Sequence, residues 1–249
     1  MTGFPPRSLA SVPALAAGEI HVWSVRLDPP AGEVERLGRF LSADEWARAN
    51  RFRFEKHRRQ YTVGRGALRE LLAAYLGSTR PEGVRFSYGP RGKPFLASPL
   101  NAGGLQFNLS NSAELALVGF VLGPEIGVDV EYLREMSDCE QIAERFFSES
   151  ERQVLRGIPF PTKQEAFFNC WTRKEAYLKA VGEGLAAPLD SFDVTLAPGE
   201  PPRMLTLEGD AERAARWFFH HLRPAPDYLG AVAIEGGDWM VRTWGFEPA

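Results

Sequence analysis

The chain has 249 residues, enough for one large domain or two small ones. With 44% hydrophobic and 24% charged residues it has the composition of a globular protein that buries a core without disulfides. A formal net charge of −3 argues against an electrostatic nucleic-acid binder, and no apolar run approaches the roughly 18 residues of a membrane span, so a cytoplasmic protein without membrane contact is expected.

Residues 1–17 are interrupted by Pro5, Pro6 and Pro13 and carry no continuous apolar core before Ala14-Leu15-Ala16-Ala17, so they read as a flexible leader. Glu19 to Leu27 alternates apolar and polar residues and reads as a strand stopped by Pro29-Pro30. Ser42-Ala43-Asp44-Glu45 has the capping-box pattern that opens a helix. Apolar residues from Tyr61 to Leu76 recur at helical spacing up to Gly77. Val84 to Tyr88 reads as a strand and Gly89 to Pro94 as a turn-rich loop. Leu105 to Leu109 and Leu115 to Leu122 are expected as strands around a polar link, Ser110 to Glu114, and after Gly123-Pro124 comes a strand at Ile126.

Beyond it, Ser137 to Phe147 reads as a helix. Ser148-Glu149-Ser150-Glu151 is a second capping box, and Thr162 to Val181 is a long helix closed by Gly182 and Gly184. Strands follow at Ser191 to Leu196, Met204 to Leu207, Arg216 to Leu222, Tyr228 to Ile234 and Trp239 to Trp244. The order predicts an α+β protein of two similar halves, 18–123 and 124–249, meeting near Pro124.

Cys139 and Cys170 have no paired spacing, which argues against a disulfide scaffold or a zinc site. Cys170 lies in an apolar run and reads as a buried, inert thiol. From Arg48 to Arg69 there are eight basic residues against one acid, Glu55, either the solvated face of a helix or a wall facing an anion.

Two short segments carry the chemistry. In Ile126-Gly127-Val128-Asp129-Val130-Glu131, strand alternation sends the aliphatic residues to a core and Asp129 and Glu131 to the other side, roughly 6.5–7 Å apart. That spacing suits a hard cation such as Mg²⁺, which takes few carboxylates and borrows its other ligands; it equally suits an amphipathic strand with a solvated face. In Trp171 to Ala180, helical spacing puts Trp171, Lys174, Glu175, Leu178 and Lys179 on one stripe, with Cys170, Tyr177 and Ala180 on a packing side. Glu175 and Lys179 alone could be an ordinary i, i+4 ion pair.

GVDVE, RFFSESE and FNCWTRKEAYLKAVGEGL, in this order, resemble the Sfp-type 4′-phosphopantetheinyl transferases, and so do RFRFEKHRRQYTVGRGALR, GPRGKP and FNLSNS upstream. The resemblance spans Arg48 to Phe192. It implies two α+β halves related by a pseudo-twofold, with the active site in the cleft between them. It also implies a reaction: 4′-phosphopantetheine passes from coenzyme A to a serine of an apo-acyl or apo-peptidyl carrier protein, releasing adenosine 3′,5′-bisphosphate. By position, Asp129, Glu131 and Glu175 match the Mg²⁺-binding acids. Lys174 and Lys179 match residues near the phosphates, Lys179 as a group that stabilises the leaving bisphosphate or relays a proton. Arg48, the turn Arg91, Gly92, Lys93 and Pro94, the segment with Asn108, Ser110 and Asn111, and Trp171 match the coenzyme A-binding positions. The carrier serine would lose its proton to Glu175, to a water on the metal, or to Glu151, which as the last residue of a capping box could equally serve only its helix.

The family usually has a histidine where this chain has Asn111, and an amide carries no charge. That departure lowers the expected grip on coenzyme A unless Arg91 compensates. The expected protein is a monomer with coenzyme A, Mg²⁺ and carrier proteins as its partners. A non-catalytic coenzyme A-binding protein on the same fold and a nucleic-acid binder using the Arg48–Arg69 stretch are the rival readings.

Overall fold

The computed structural model describes residues 3–9, 12–182 and 188–247. In chain order the first half contains β1 (Pro6–Ser8), β2 (Glu19–Arg26), α1 (Ala31–Gly38), α2 (Ala43–Ala49), α3 (Glu55–Leu76), β3 (Phe86–Tyr88), β4 (Pro94–Leu96), β5 (Leu105–Ser112) and β6 (Leu115–Leu122). The second half contains β7 (Ile126–Tyr132), α4 (Cys139–Phe146), α5 (Glu149–Gly157), α6 (Phe160–Val181), β8 (Phe192–Val194), β9 (Met204–Leu207), α7 (Ala211–Ala214), β10 (Trp217–Leu222), β11 (Tyr228–Glu235) and β12 (Met240–Glu247).

The elements stack in four layers, α3, sheet, sheet, α6. The larger sheet has the order β1-β12-β2-β6-β5, and the smaller is the antiparallel set β10-β11-β7. Strand alternation builds this stack directly. On β2, Trp23 and Val25 face α3, where they meet Leu68, Leu71 and Leu72, while Ile20 and Val22 turn inward. On β7, Ile126, Val128 and Val130 meet them from the second sheet, so the two sheets share an aliphatic middle layer. The outer face of the small sheet, with Leu229, Ala231 and Ala233, packs on α6. Each of these two sheets is thus covered by one 22-residue helix.

Gly127 makes this packing close. A Cβ there would lie 1.9 Å from the Ala176 carbonyl oxygen and 2.4 Å from the Ala180 nitrogen, so only glycine lets α6 sit this low on β7. Gly182, in the left-handed region at φ 72°, ends α6 by donating to the Leu178 carbonyl. Gly184, the other expected stop, lies outside the described residues.

Three expectations are corrected. The leader is not simply flexible: Pro6–Ser8 pair in parallel with Gly245–Glu247, and Phe4 packs into the middle layer (Met1, Thr2, Ala10 and Ser11 lie outside the described residues). The division at 123/124 is crossed by β12, which joins the first half's sheet in parallel with β2, because its hydrophobic Trp244 completes the core under α3. The polar link at Ser110 is not a loop: β5 runs through Ser112 and turns only at Ala113-Glu114 into β6. Both cysteines are buried and free, and burial pushes the Cys170 thiol well up, as expected of an inert group. No helix among the described residues is long and apolar enough to cross a membrane.

Candidate active site

Among the described residues β7 has only β11 as a ladder partner, so the amides on its other edge must find side-chain partners. Polar side chains of β5 meet that edge. The Val128 amide donates to Asn108 Oδ1 at 2.9 Å and the Tyr132 amide to Ser112 Oγ at 3.1 Å. The same strand face aims the acids. Ser110 Oγ donates to Asp129 Oδ1 at 2.8 Å, and Ser112 Oγ donates to Glu131 Oε2 at 2.7 Å. From above, α6 contributes Trp171, Glu175 and Lys179. Lys179 Nζ donates to Asp129 Oδ1 at 2.5 Å and to Ser110 Oγ at 2.7 Å.

Ser110, Asp129, Glu131, Trp171, Glu175 and Lys179 line a cavity of about 560 Å³ at the junction of the halves, with Asn111, Arg145, Phe146, Leu189 and Asp190. The solvated-strand alternative for Asp129 falls away, since its residue is only 3% exposed. Burial pushes the Glu131 carboxyl above its usual range against the pull of the Ser112 hydrogen bond, and the Asp129 charge adds to it. Burial, then Asp129, raises Glu175 in the same way. Asp129 Oδ2 and Glu175 Oε1 are buried without a hydrogen-bond partner. Among the described residues no three acid, histidine or cysteine side chains close into a finished ligand shell. Two orphaned carboxylate oxygens and mutually repelling acids nonetheless fit a hard divalent cation with oxygen ligands.

A second cavity, about 360 Å³, lies against α3 and is lined by Arg48, Phe52, Tyr61, Arg65, Tyr88, Gly92, Pro94, Asn108 and Leu109, among others. Asn111 lines both cavities and marks where they meet. The larger cavity offers carboxylates and an ammonium, and the smaller offers aromatic faces rimmed by guanidinium groups. Together they suit a ligand with a flat ring at one end and clustered phosphates toward the other.

Several expected site residues lie elsewhere. Lys174 is not at the cleft: its ammonium is sealed inside, 2.9 Å from Glu151 Oε2, and donates to the Leu189 and Phe192 carbonyls. Leu178 is buried too, so the cleft stripe is Trp171, Glu175, Lys179, one helical row rather than two. Glu151 is occupied as well. It accepts the Ser148 amide of its own capping box and the Val194 amide, which leaves it no path to a substrate hydroxyl. Lys93 ties the halves together, donating to Glu125 at 2.6 Å, to the Ile126 carbonyl and to the Ala180 carbonyl at the C-terminal end of α6. Arg91 sits exposed on the same turn.

The basic stretch is also divided. Arg69 is buried on Glu45, Arg65 shares that acid, Arg58 pairs with Glu55, and Lys56 with Glu114. Glu45, just outside the stretch, is what breaks the wall. Sequence reasoning passed over Ser112 and Asp190 and gave Arg145 and Phe146, inside the RFFSESE motif, no place in the cleft. Ser112 could have been found from strand alternation with Ser110, whereas the others come from elements whose approach to the cleft is a matter of tertiary packing.

The family model described as 4′-phosphopantetheinyl transferase, N-terminal, matches residues 26–120, and that of the 4′-phosphopantetheinyl transferase superfamily matches residues 125–233. The chain is 44% identical over 230 residues to the 4′-phosphopantetheinyl transferase HetI of Nostoc sp. (strain PCC 7120), covering 92% of this chain and 93% of that protein. It is 29% identical over 179 residues to the 4′-phosphopantetheinyl transferase Sfp of Bacillus subtilis (strain 168), covering 71% and 77%. A holo-(acyl-carrier-protein) synthase from Bacillus anthracis, crystallised in complex with CoA, overlays 45% of this chain and 96% of its own at a TM-score of 0.36 and 24% identity. Across nearly its whole length, then, the chain belongs to the 4′-phosphopantetheinyl transferase family.

Proposed function

We propose that the protein transfers 4′-phosphopantetheine from coenzyme A to a serine hydroxyl of an apo-acyl or apo-peptidyl carrier protein. The observation that carries this reading is the convergence of Asp129, Glu131, Glu175 and Lys179 in one cavity that adjoins, at Asn111, a second cavity lined by aromatic and arginine side chains. In the transfer, the serine oxygen forms a new bond to the β-phosphorus of coenzyme A. The bond from that phosphorus to the bridging oxygen breaks, and adenosine 3′,5′-bisphosphate leaves with the electron pair.

Asp129, Glu131 and Glu175 are the residues that would hold Mg²⁺, which would supply charge neutralisation at the pyrophosphate. Arg48 and the Tyr61 and Tyr88 rings line the cavity suited to the adenosine end, where stacking and charge both favour a nucleotide. Lys179 stands beside the acids and offers an ammonium to the departing phosphate. Glu175 is the side chain suited to take the serine proton. It lines the cleft, and of its two carboxylate oxygens one is left to take the hydroxyl proton when the other faces the metal. Glu151 and Lys174 serve the fold instead. The protein acts as a monomer in the cytoplasm on this reading.

The test is mass spectrometry of apo-carrier proteins incubated with coenzyme A and Mg²⁺. A gain of one phosphopantetheine on the carrier serine is expected. No gain across fatty-acid, polyketide and peptidyl carriers, with coenzyme A binding retained, would instead make the protein a non-catalytic coenzyme A binder.

A further inference from the structure

Lys179 occupies one of the two Asp129 oxygens that an entering cation would use. Its ammonium is 2.5 Å from Asp129 Oδ1, and Ser110 Oγ, itself 2.8 Å from that oxygen, accepts a second hydrogen bond from it at 2.7 Å. The other Asp129 oxygen and one Glu175 oxygen have no partner. Of the three acids, only Asp129 has an ammonium or guanidinium group in contact among the described residues' ion pairs. A carboxylate this deep is costly without a counter-charge, so the fold needs a cation here before any ligand arrives. Two cations cannot share Asp129 Oδ1 at contact distance without strong mutual repulsion. The Lys179 side chain is 27% exposed on its four-carbon stem, so its ammonium can pivot toward the cleft without unpacking α6.

We propose that Lys179 is a resident counter-ion that holds Asp129 in place while the site is empty, and that it gives up Asp129 when a divalent cation binds. The inference rests on the reading of the cleft as a metal site. It assigns one residue two successive partners, a carboxylate before loading and the substrate's phosphates after. The released ammonium is then available only when the metal is in place, so loading and phosphate binding are coupled in that order. Asp129 Oδ2 supplies the metal's first foothold, because it is the oxygen Lys179 leaves bare.

Mn²⁺ binding to the full chain without coenzyme A, read from the loss of the free-ion electron paramagnetic resonance signal, tests it. Lys179→Met should bind Mn²⁺ about tenfold more tightly than wild type. Arg145→Met serves as the control, since Arg145 lines the same cleft without an ion pair to Asp129, and it should shift the affinity less than about twofold. An unchanged or weaker affinity in Lys179→Met overturns the proposal, and so does an equal tightening in Arg145→Met, which would mean a general field effect. Lys179→Gln replaces the methionine variant should that one fail to fold, with the same outcome required. Wild-type protein that binds no Mn²⁺ at all would remove the metal reading itself. Binding that Asp129→Asn abolishes but Lys179→Met leaves unchanged would remove only the counter-ion role.

Discussion

Lys174 Nζ and Glu151 Oε2 face each other at 2.9 Å, with side chains only 1% and 2% exposed. The pair joins three elements: α6 through Lys174, α5 through Glu151, and the start of β8 with the turn before it, through the Phe192 and Leu189 carbonyls that Lys174 also holds. Leu189 and Asp190 on that turn form one wall of the cleft. Removing one partner leaves the other charged and unpaired in the core, at a cost of about 3–5 kcal/mol. Urea unfolding of Lys174→Met and Glu151→Gln should show that loss, with activity falling in step with folded protein. A fully stable but inactive Glu151→Gln lacking one limb of the pH–rate profile would return Glu151 to the list of bases.

Gly127→Ala should be among the most damaging single changes in the chain. The added methyl would overlap the Ala176 carbonyl and the Ala180 amide, so α6 has to rise off β7. Overpacking of this kind costs about 3 kcal/mol. The displaced helix carries Glu175 and Lys179 away from Asp129, so transfer rates should fall further than the folded fraction. Circular dichroism melts alongside single-turnover rates would separate the two effects. A variant with native stability would show that α6 has slack that the structure does not suggest.

Much of this site could be read before the structure, and the limits have physical causes. Period-two alternation put Asp129 and Glu131 on one face of β7, and the period 3.6 placed Glu175 and Lys179 on one face of α6. What the periods cannot give is rotation about a neighbour. Lys174 is one residue from Glu175, yet the 100° step sends it into the core, where Glu151 is waiting. Glu151 shows the same limit from the other side: its capping-box role was legible, but its bonds to Lys174 and the Val194 amide depend on packing. The crossing of β12 into the first sheet left no local mark, because a strand's sequence shows its buried face but not which sheet it joins. Gly127 was legible only as a small residue in a motif, and its reason is a helix some fifty residues on.

Asn111 lies on the boundary between the two cavities, so a positive charge there would face whatever anion spans them. Asn111→His should therefore tighten coenzyme A binding below pH 6.5, where the imidazole is protonated, by about 1 kcal/mol, or roughly fivefold. Isothermal titration at pH 6.0 and 8.0 would check it. Equal affinity of the two proteins at pH 6.0 would show that residue 111 does not approach a phosphate.

His221, on β10, carries a pH dependence of stability whose sign can be worked out. Burial first, then the Arg173 and Arg223 charges, lower its pKa to about 4. The unfolded chain takes up a proton near pH 6.5 while the folded one stays neutral, so between pH 6.5 and about 4 the unfolded state binds more protons. Its stabilising contribution is present above pH 6.5 and is lost as pH falls through that window. His221→Gln should flatten the decline in melting temperature from pH 6.5 to 4.5 relative to wild type. Identical slopes would mean that His221 takes up its proton in the folded state as readily as in the unfolded one.

Ser112 links the aiming of Glu131 to the edge of β7, since one hydroxyl accepts the Tyr132 amide and donates to Glu131. Ser112→Ala leaves the carboxylate in the cleft but free to turn, and a lost partner of this kind costs about tenfold to a hundredfold in metal affinity or activity. Asp129→Asn and Glu175→Gln remove charge from the same group and should each cost at least about a hundredfold in kcat. The fold should tolerate all three, because Asn and Gln keep the shape and the Ser112 hydroxyl lies at the cleft rather than in an aliphatic layer. If Glu131 works only through its geometry, Ser112→Ala should regain much of its activity at high Mg²⁺, where a poorly aimed ligand is offset by mass action. Asp129→Asn should not recover, since added Mg²⁺ cannot restore a missing carboxylate. Rates measured from about 1 to 50 mM Mg²⁺ would show the two behaviours, against the expectation of a metal site in which added ion offsets lost affinity. Full activity in Asp129→Asn at any concentration would remove that residue from the site.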